Sequence, residues 1–247
     1  MPISPNQGST GGGTTVTITG TNLAGTTAVK FGSKSAAITA NTPTSVTVVS
    51  PSGAGVVSVI VTTAGGSSNP LSFFYIGPPF KASLSGTSGP TSGGNTITIN
   101  GTGLSTASAV NFGPNSATPT VISDSQLSVT VPAGTGAGSV PVTVVTAGGT
   151  NNGLSYTYED APTVNTISPS SGSTSGGTAV TITGTNLATT QSVTFDGTSA
   201  AFSVINSTTL SVATPPGTAG AVDVVVTTTG GSATMTGGFT YVAGPGI

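Results

Sequence analysis

The chain has 247 residues, and only 3% of them are charged. It contains no histidine and no cysteine, which excludes serine–histidine and cysteine–histidine catalytic centres as well as disulfide bonds. Three lysines and no arginine are too few cations to neutralise a run of phosphates, so nucleic acid is excluded as a partner. No apolar run approaches the roughly 18 residues of a membrane-spanning helix, and we predict no transmembrane segment.

The first predicted strand lies in Gly12–Leu23, where two glycines precede an alternation of apolar and polar residues. This period of two is typical of a half-buried strand, with Val16 and Ile18 facing inward. A second strand ends in Val-Lys-Phe-Gly, and its Phe31 is the predicted central core residue because it is a large side chain at a repeated strand position.

The later part of the first repeat has the same strand pattern. Alternating valines in the stretch 57–61 are expected to line the same core. Gly65-Gly66 then supplies a hairpin turn, since glycine adopts positive φ without strain. The repeat closes on two aromatic residues, Phe73 and Tyr75.

The same elements occur twice more. The first strand segment returns as Gly93–Leu104 and Gly176–Leu187, 81 and then 83 residues further along the chain. The central phenylalanine returns as Phe112 and Phe195. A period near 80 residues is too long for a solenoid repeat and suits a small domain with a core of its own.

Short strands separated by Gly, Pro, Asn and Ser turns, without a 3.6-residue period, predict six or seven strands per repeat and no helix. The predicted fold class is all-β, with three tandem β-sandwich domains in an elongated array. We place the domains at residues 1–76, 84–158 and 164–247. The linkers, 77–83 and 159–163, contain proline, which restricts the freedom of the backbone.

A set of short motifs recurs in the same order. Ile-Ser-Pro at 3–5 and 167–169 is followed by a Gly-Gly-Thr turn, Val-Thr-Ile-Thr-Gly-Thr-Asn-Leu, Val-x-Phe-Gly and Phe/Tyr-x-Tyr. These motifs resemble the IPT/TIG (immunoglobulin-like, plexin, transcription factor) domain family in its bacterial or phage surface type. The second repeat departs, with Leu84-Ser85-Gly86 for Ile-Ser-Pro and Gly103 for the asparagine. The resemblance implies an immunoglobulin-like fold in every repeat, and it leaves function open because fold does not fix function.

Catalysis by paired carboxylates needs two acids that face one cleft. The only such pair within one predicted domain is Asp196 and Asp223. Asp196 begins an Asp-Gly turn, where aspartate commonly makes local hydrogen bonds. Asp223 lies between Val222 and Val224 in an alternating strand and is expected to point away from the core. We therefore predict that both are solvated surface residues and that the chain is not an enzyme.

Two further chemistries are also disfavoured by the sequence. A serine–lysine dyad would need Lys30 or Lys34 buried beside a nucleophile, and both flank Phe31-Gly32 at a predicted exposed strand end. Calcium needs several clustered oxygen ligands. The nearest approach to such a cluster is Glu159-Asp160, which we expect to be a solvated linker. The sequence thus predicts no catalytic residue, no metal site and no cofactor.

Near-uniform repetition with so little charge favours a structural or adhesive role. Charged side chains on exposed edge strands normally prevent one sheet from pairing with another, and this chain has few charged side chains. We predict a surface, fibre or virion component that self-associates, binds a protein partner or acts as a spacer. The expected location is extracellular, at the cell surface or in a phage particle. Met1–Pro5 does not look like a signal peptide, which leaves a cytoplasmic location open.

The alternative is a carbohydrate- or glycan-binding module, or an accessory region of a secreted polysaccharide-processing enzyme. Sugar sites usually stack on exposed aromatic rings, and tryptophan is absent. The candidates for ligand binding are aromatic residues without counterparts in the other repeats. They are Phe80, in the first linker, Phe74 and Phe202.

Overall fold

The computed structural model describes residues 1–245, except for the side chains of Lys81, Ala82 and Asn152. Within this part of the chain, every regular element is a β-strand. The strands, numbered β1–β28 in chain order, form six sheets that are grouped as three tandem sandwiches. The fold prediction of three tandem β-sandwiches is confirmed. None of the described residues belongs to a helix that could cross a membrane.

Contacts between Cα atoms divide the chain into two compact units. One consists of residues 1–85, 96–130 and 141–154, and the other of residues 86–95, 131–140 and 155–247. The first sandwich lies wholly within the former unit and the third lies wholly within the latter.

Ten strands form the first sandwich. They are β1 Ile3–Ser4, β2 Gln7–Ser9, β3 Thr15–Thr19, β4 Thr26–Phe31, β5 Lys34–Ser35, β6 Ala37–Asn41, β7 Ser45–Val49, β8 Gly55–Thr63, β9 Gly66–Ser67 and β10 Leu71–Ile76. One sheet has the order β1-β3-β7-β6. The other has the order β2-β10-β8-β4-β5, with β9 paired to β8.

Nine strands form the second sandwich. They are β11 Phe80–Leu84, β12 Ser88–Pro90, β13 Thr96–Thr102, β14 Ala109–Phe112, β15 Asn115–Ala117, β16 Thr120–Ser123, β17 Gln126–Thr130, β18 Gly138–Thr146 and β19 Gly149–Glu159. The sheet orders are β11-β13-β17-β16 and β12-β19-β18-β14-β15. They repeat the orders of the first sandwich.

Nine strands also form the third sandwich. They are β20 Thr163–Ser168, β21 Ser171–Ser173, β22 Ala179–Thr185, β23 Thr190–Phe195, β24 Thr198–Ser199, β25 Ala201–Asn206, β26 Thr209–Ala213, β27 Gly220–Thr228 and β28 Gly231–Val242. The sheet orders are β20-β22-β26-β25 and β21-β28-β27-β23-β24. All three repeats therefore share one topology.

The alternating residues predicted to face inward do form the cores. Val16 lies opposite Val48 and Ile18 opposite Val46 in the β3–β7 ladder, and all four side chains are fully buried. The central phenylalanines of the three repeats are also buried, as predicted: Phe31, Phe112 and Phe195. Burial of each such side chain stabilises the folded state by about 1.5–3 kcal/mol. This apolar burial can hold the fold together without contributions from charged residues.

The closing aromatic residues complete each core. The Phe73 ring packs edge-on against Phe31 and Tyr75, with centroid distances of 5.0 and 5.1 Å. The Tyr75 hydroxyl reaches past the core and donates a hydrogen bond to the carbonyl of Pro51 at 2.7 Å. The same bond recurs from Tyr158 to Pro132 at 2.8 Å and from Tyr241 to Pro215 at 2.6 Å.

Each sandwich has nine or ten strands, more than the six or seven predicted, because the shortest strands are too short to show alternating apolar and polar residues. The clearest example is β2, three residues long, which pairs in parallel with β10. Its counterparts β12 and β21 pair in parallel with β19 and β28. Three residues give too little alternation for a period of two to be recognised.

Candidate functional site

The three aromatic candidates lie in different surroundings. Phe80 stands opposite Thr102 in the β11–β13 ladder, and 64% of its surface is exposed. Phe74 is 42% exposed on β10. Phe202 is half-buried and packs against the core of the third sandwich. In the described part of the chain, none of these three rings stacks on another aromatic ring, so the structure does not bring them together as one platform.

Asp196 and Asp223 meet through their backbones. The Asp196 amide donates to the Asp223 carbonyl at 2.9 Å, and the Asp196 backbone is left-handed, with a φ of 48°. The Asp223 carboxylate accepts a hydrogen bond from the Gly237 amide at 2.8 Å. That carboxylate therefore holds the neighbouring strand β28. Among the described residues, no three side chains of the metal-binding types cluster together.

Asp124 also has a structural role. Its carboxylate accepts hydrogen bonds from the amides of Gly103 and Ser105, at 3.2 and 3.3 Å. Hydrogen bonds from the Ser105 side chain and from these two amides hold the pKa of Asp124 below its ordinary value. Its charge thus organises the loop that follows β13.

Glu159 is bound rather than freely solvated, which corrects the expectation for the second linker. Its carboxylate accepts a hydrogen bond from the Thr189 hydroxyl at 2.8 Å and another from the Thr229 hydroxyl. These threonines lie 30 and 70 residues away in sequence, so the linker sequence alone gives no sign of them. The neighbouring Asp160 accepts a hydrogen bond from the Thr91 hydroxyl at 3.0 Å.

The backbone of each predicted linker packs closely against a hairpin glycine, Gly148 for the first linker and Gly230 for the second. A Cβ built on Gly148 would overlap the Gly77 carbonyl oxygen and lie 2.9 Å from that of Ile76. A Cβ on Gly230 would likewise overlap the Asp160 carbonyl oxygen and lie 3.0 Å from that of Glu159. Only glycine permits this approach of backbone to backbone.

A second contact fixes each linker beyond the hairpin. The Asn151 side-chain amide donates to the carbonyl of Pro79, and the Asn186 amide donates to that of Ala161 at 2.9 Å. The linker prolines, Pro79 and Pro162, are both buried. We call Gly148 with Asn151 the first junction site, and Gly230 with Asn186 the second junction site.

A sequence model of the IPT/TIG domain matches residues 1–75, 79–158 and 162–241, nearly the whole chain. The chain belongs to the IPT/TIG domain family. The resemblance inferred from the repeated motifs is confirmed, and each IPT/TIG match falls on one of the three sandwiches.

Solved structures with a similar fold include the full extracellular region of plexin A4, which is 22% identical at a TM-score of 0.50. That match covers 88% of this chain and 21% of the plexin chain, so this IPT/TIG chain spans about a fifth of its length. A Bacteroides ovatus SGBP-B from a mixed-linkage glucan utilization locus, in complex with a mixed-linkage heptasaccharide, is 17% identical at a TM-score of 0.32 and covers 96% and 65% of the two chains.

An Escherichia coli adhesin is 15% identical at a TM-score of 0.33, with 98% and 96% of the two chains covered. At 22% identity, the similarity to plexin A4 shows the fold of the IPT/TIG domains alone.

The junction sites are not predicted by the local sequence pattern. Gly148 and Gly230 repeat the hairpin position of Gly65, and the sequence there predicts only a turn. A further signal was present in the spacing of Tyr75 to Pro79 and of Tyr158 to Pro162, which is Tyr-x-x-x-Pro in both places. This pattern ties the last core residue of one IPT/TIG domain to the buried proline that precedes the next.

Proposed function

We propose that this IPT/TIG chain is a non-catalytic structural or adhesive repeat protein of a cell surface, fibre or phage particle, and that it self-associates. The observation that carries the proposal is the character of two edge strands. Strand β16 is an edge of its sheet and exposes Val121 by 39% and Ile122 by 56%. Strand β25 is the equivalent edge and exposes Val204 by 39% and Ile205 by 61%.

Neither edge strand contains a charged residue. Charges on edges normally prevent one sheet from pairing with another, so these edges lack the commonest protection. The register of each edge shifts at Ile122 or Ile205, and such bulges hinder the addition of a continuous strand. We therefore propose that copies associate laterally through the apolar side chains exposed at the bulges.

The carboxylates support the non-catalytic part of the proposal. The carboxylates of Asp124 and Asp223 accept hydrogen bonds from backbone amides, and that of Glu159 accepts hydrogen bonds from two threonine hydroxyls. Paired-carboxylate catalysis requires two carboxyl groups that face one cleft, one as general acid and the other as base or nucleophile. The contacts of these side chains serve loops and linkers instead.

Lateral association is tested by static light scattering over a concentration series. Ile122→Lys with Ile205→Lys places one charge on each edge and should lower the concentration-dependent rise in molar mass. The matched control is Thr96→Lys with Thr181→Lys, which adds the same charges at exposed positions of the inner strands β13 and β22. Equal association of the edge variant and the control would refute the lateral contact.

Glycan binding is the second candidate, and the exposure of Phe80 favours it. Aromatic rings that are open to solvent can stack on the apolar face of a sugar. The candidate is tested on a glycan array with the unmodified chain and with Phe80→Ala, using Phe74→Ala as a control. A sugar retained by the chain and by Phe74→Ala but lost by Phe80→Ala would support it. An array without any bound sugar would remove it.

A further inference from the structure

The first sandwich has a pocket of about 490 Å³ beside the turn between β4 and β5. Its floor is apolar, because it is formed by three side chains at one end of the core: Phe31, Val57 and Tyr75. Small-molecule sites in proteins usually have volumes of roughly 300–1,000 Å³ and mostly apolar walls. The volume and the floor are therefore suitable for a ligand with the size of one sugar ring.

One cation lies at the mouth of this pocket. Lys34 stands opposite Phe31 in the β4–β5 ladder, so its side chain lies on the same face of the sheet as the pocket floor. The Lys34 ammonium donates hydrogen bonds to the Ser52 carbonyl at 2.8 Å and to the Ser52 hydroxyl at 3.1 Å. The described residues thus occupy two of its three N–H donors, which leaves one for a ligand.

The charge of Lys34 has no counter-charge within the first sandwich. Residues 1–76, all of which the structure describes, contain two lysines and no aspartate or glutamate. The other lysine, Lys30, precedes Phe31 in strand β4 and therefore lies on the other face of the sheet. A cation without an anionic neighbour attracts an anion. A single ammonium matches the single charge of a carboxylate better than the nearly double charge of a phosphate group.

The other polar side chains at the rim of the pocket carry hydroxyl groups. They belong to Thr10, Ser33 and Ser52. A hydroxyl both donates and accepts hydrogen bonds, as the hydroxyl groups of a sugar do. The apolar floor can contact the C–H groups of a sugar ring. A sugar that carries a carboxylate therefore matches the cation, the hydroxyl groups and the floor together.

The third sandwich has an equivalent pocket of about 380 Å³, but its charge differs. Thr198 stands opposite Phe195 there, which is the ladder position of Lys34. Asp196 lines this pocket at the position that Gly32 has in the first sandwich. The Asp196 carboxylate would repel the carboxylate of a ligand. The two pockets thus have the same kind of floor and differ in the charge that selects a ligand.

We propose that the pocket beside Lys34 binds a sugar acid, with the ligand carboxylate at the Lys34 ammonium and the ring against the apolar floor. The inference does not depend on the lateral contact, and it adds a site for an acidic sugar to the first sandwich. Phe80, the candidate for glycan binding named above, belongs to the second sandwich. Loss of either site should therefore leave the other intact.

The site is tested with D-glucuronate and D-glucuronamide, because these two compounds have the same ring and differ in charge. Binding is followed by NMR through the amide signals of Gly32 and Gly53, which line the pocket. We expect both signals to shift and to saturate with glucuronate, and to shift little with glucuronamide. Lys34→Gln should raise the dissociation constant for glucuronate by about tenfold, which corresponds to about 1.4 kcal/mol.

Lys30→Gln is the matched control, because it removes the same charge from the other face of β4. It should leave the dissociation constant nearly unchanged. Gly32→Asp is a second variant that keeps the hydrogen bonds of Lys34 and adds the acid of the third sandwich. Gly32 has a φ of 60° and Asp196 a φ of 48°, so aspartate is compatible with this backbone position. This variant should also weaken the binding of glucuronate.

The outcomes separate the site from a general attraction of anions and from the proposed function. Equal binding of glucuronate by the unmodified chain, Lys34→Gln and Gly32→Asp would overturn the site, as would the absence of any shift at Gly32 and Gly53. Acetate or inorganic phosphate bound as tightly as glucuronate would overturn the sugar acid as the ligand. Light scattering of Lys34→Gln should match that of the unmodified chain, so a failure of this inference is distinguishable from a failure of lateral association.

Discussion

The carbonyl of Gly77 lies against Gly148 so closely that a Cβ on this glycine would overlap its oxygen. The second linker makes the same contact with Gly230. We expect Gly148→Ala or Gly230→Ala to lower the free energy of unfolding by about 1–3 kcal/mol, the usual cost of overpacking. Urea unfolding measures this loss. Gly65→Ala is the matched control, and an equal effect of the control would show that the hairpin, and not the linker contact, requires glycine.

The tyrosine hydroxyls should contribute to stability in every domain. Replacing Tyr75 by Phe leaves the Pro51 carbonyl without its hydrogen bond, and we expect a loss of about 1 kcal/mol. Scanning calorimetry follows the change. Phe74→Tyr adds a hydroxyl to an exposed ring of the same strand and should have little effect. A Tyr75→Phe variant as stable as the unmodified chain would contradict a stabilising role for this bond.

Alkaline pH should destabilise the domains through the same tyrosines. Burial raises the pKa of Tyr75, Tyr158 and Tyr241 above the ordinary value of 10.0. A pKa that is raised by folding gives stability that is complete below pH 10 and is lost as the pH rises through the raised pKa. The unfolding temperature should therefore be constant up to about pH 9 and fall above about pH 10. A constant unfolding temperature through pH 12 would contradict this assignment.

Acid should act on Asp124 in the opposite sense. Hydrogen bonds lower the pKa of Asp124 below its ordinary value of 3.8, so its contribution is present above that pH and is lost as the pH falls through the lowered pKa. Asp124→Asn should be less stable than the unmodified chain at pH 6, and the difference should shrink towards about pH 2 in urea unfolding. Asp196→Asn, the control, removes the same charge from a turn. If the stability difference between Asp124→Asn and the unmodified chain does not change with pH, the charge of Asp124 does not stabilise the fold.

Much of the fold follows from local sequence, because alternation determines which side chains are buried. Val16, Ile18 and Phe31 could be assigned to the core from a period of two and from repetition alone. The repeats also identified the domain family. Short parallel strands such as β2 could not be predicted, because their formation depends on a partner about 70 residues away rather than on their own pattern.

The candidate sites were less predictable, since they depend on contacts between distant residues. Phe80, expected in a linker, lies in strand β11 and is exposed there, whereas Phe202 packs against the third core. The sequence predicts a solvated Glu159 because both of its threonine partners are remote in sequence. The close approach of Gly148 to Gly77 could not be predicted, because it depends on the path of a linker backbone that is remote from Gly148 in sequence.

Self-association is the central claim, and sedimentation velocity of the unmodified 247-residue chain tests it most directly. The uncharged edges β16 and β25 predict a weight-average sedimentation coefficient that rises with protein concentration. A coefficient that stays at the value of a single chain at all concentrations would contradict the account.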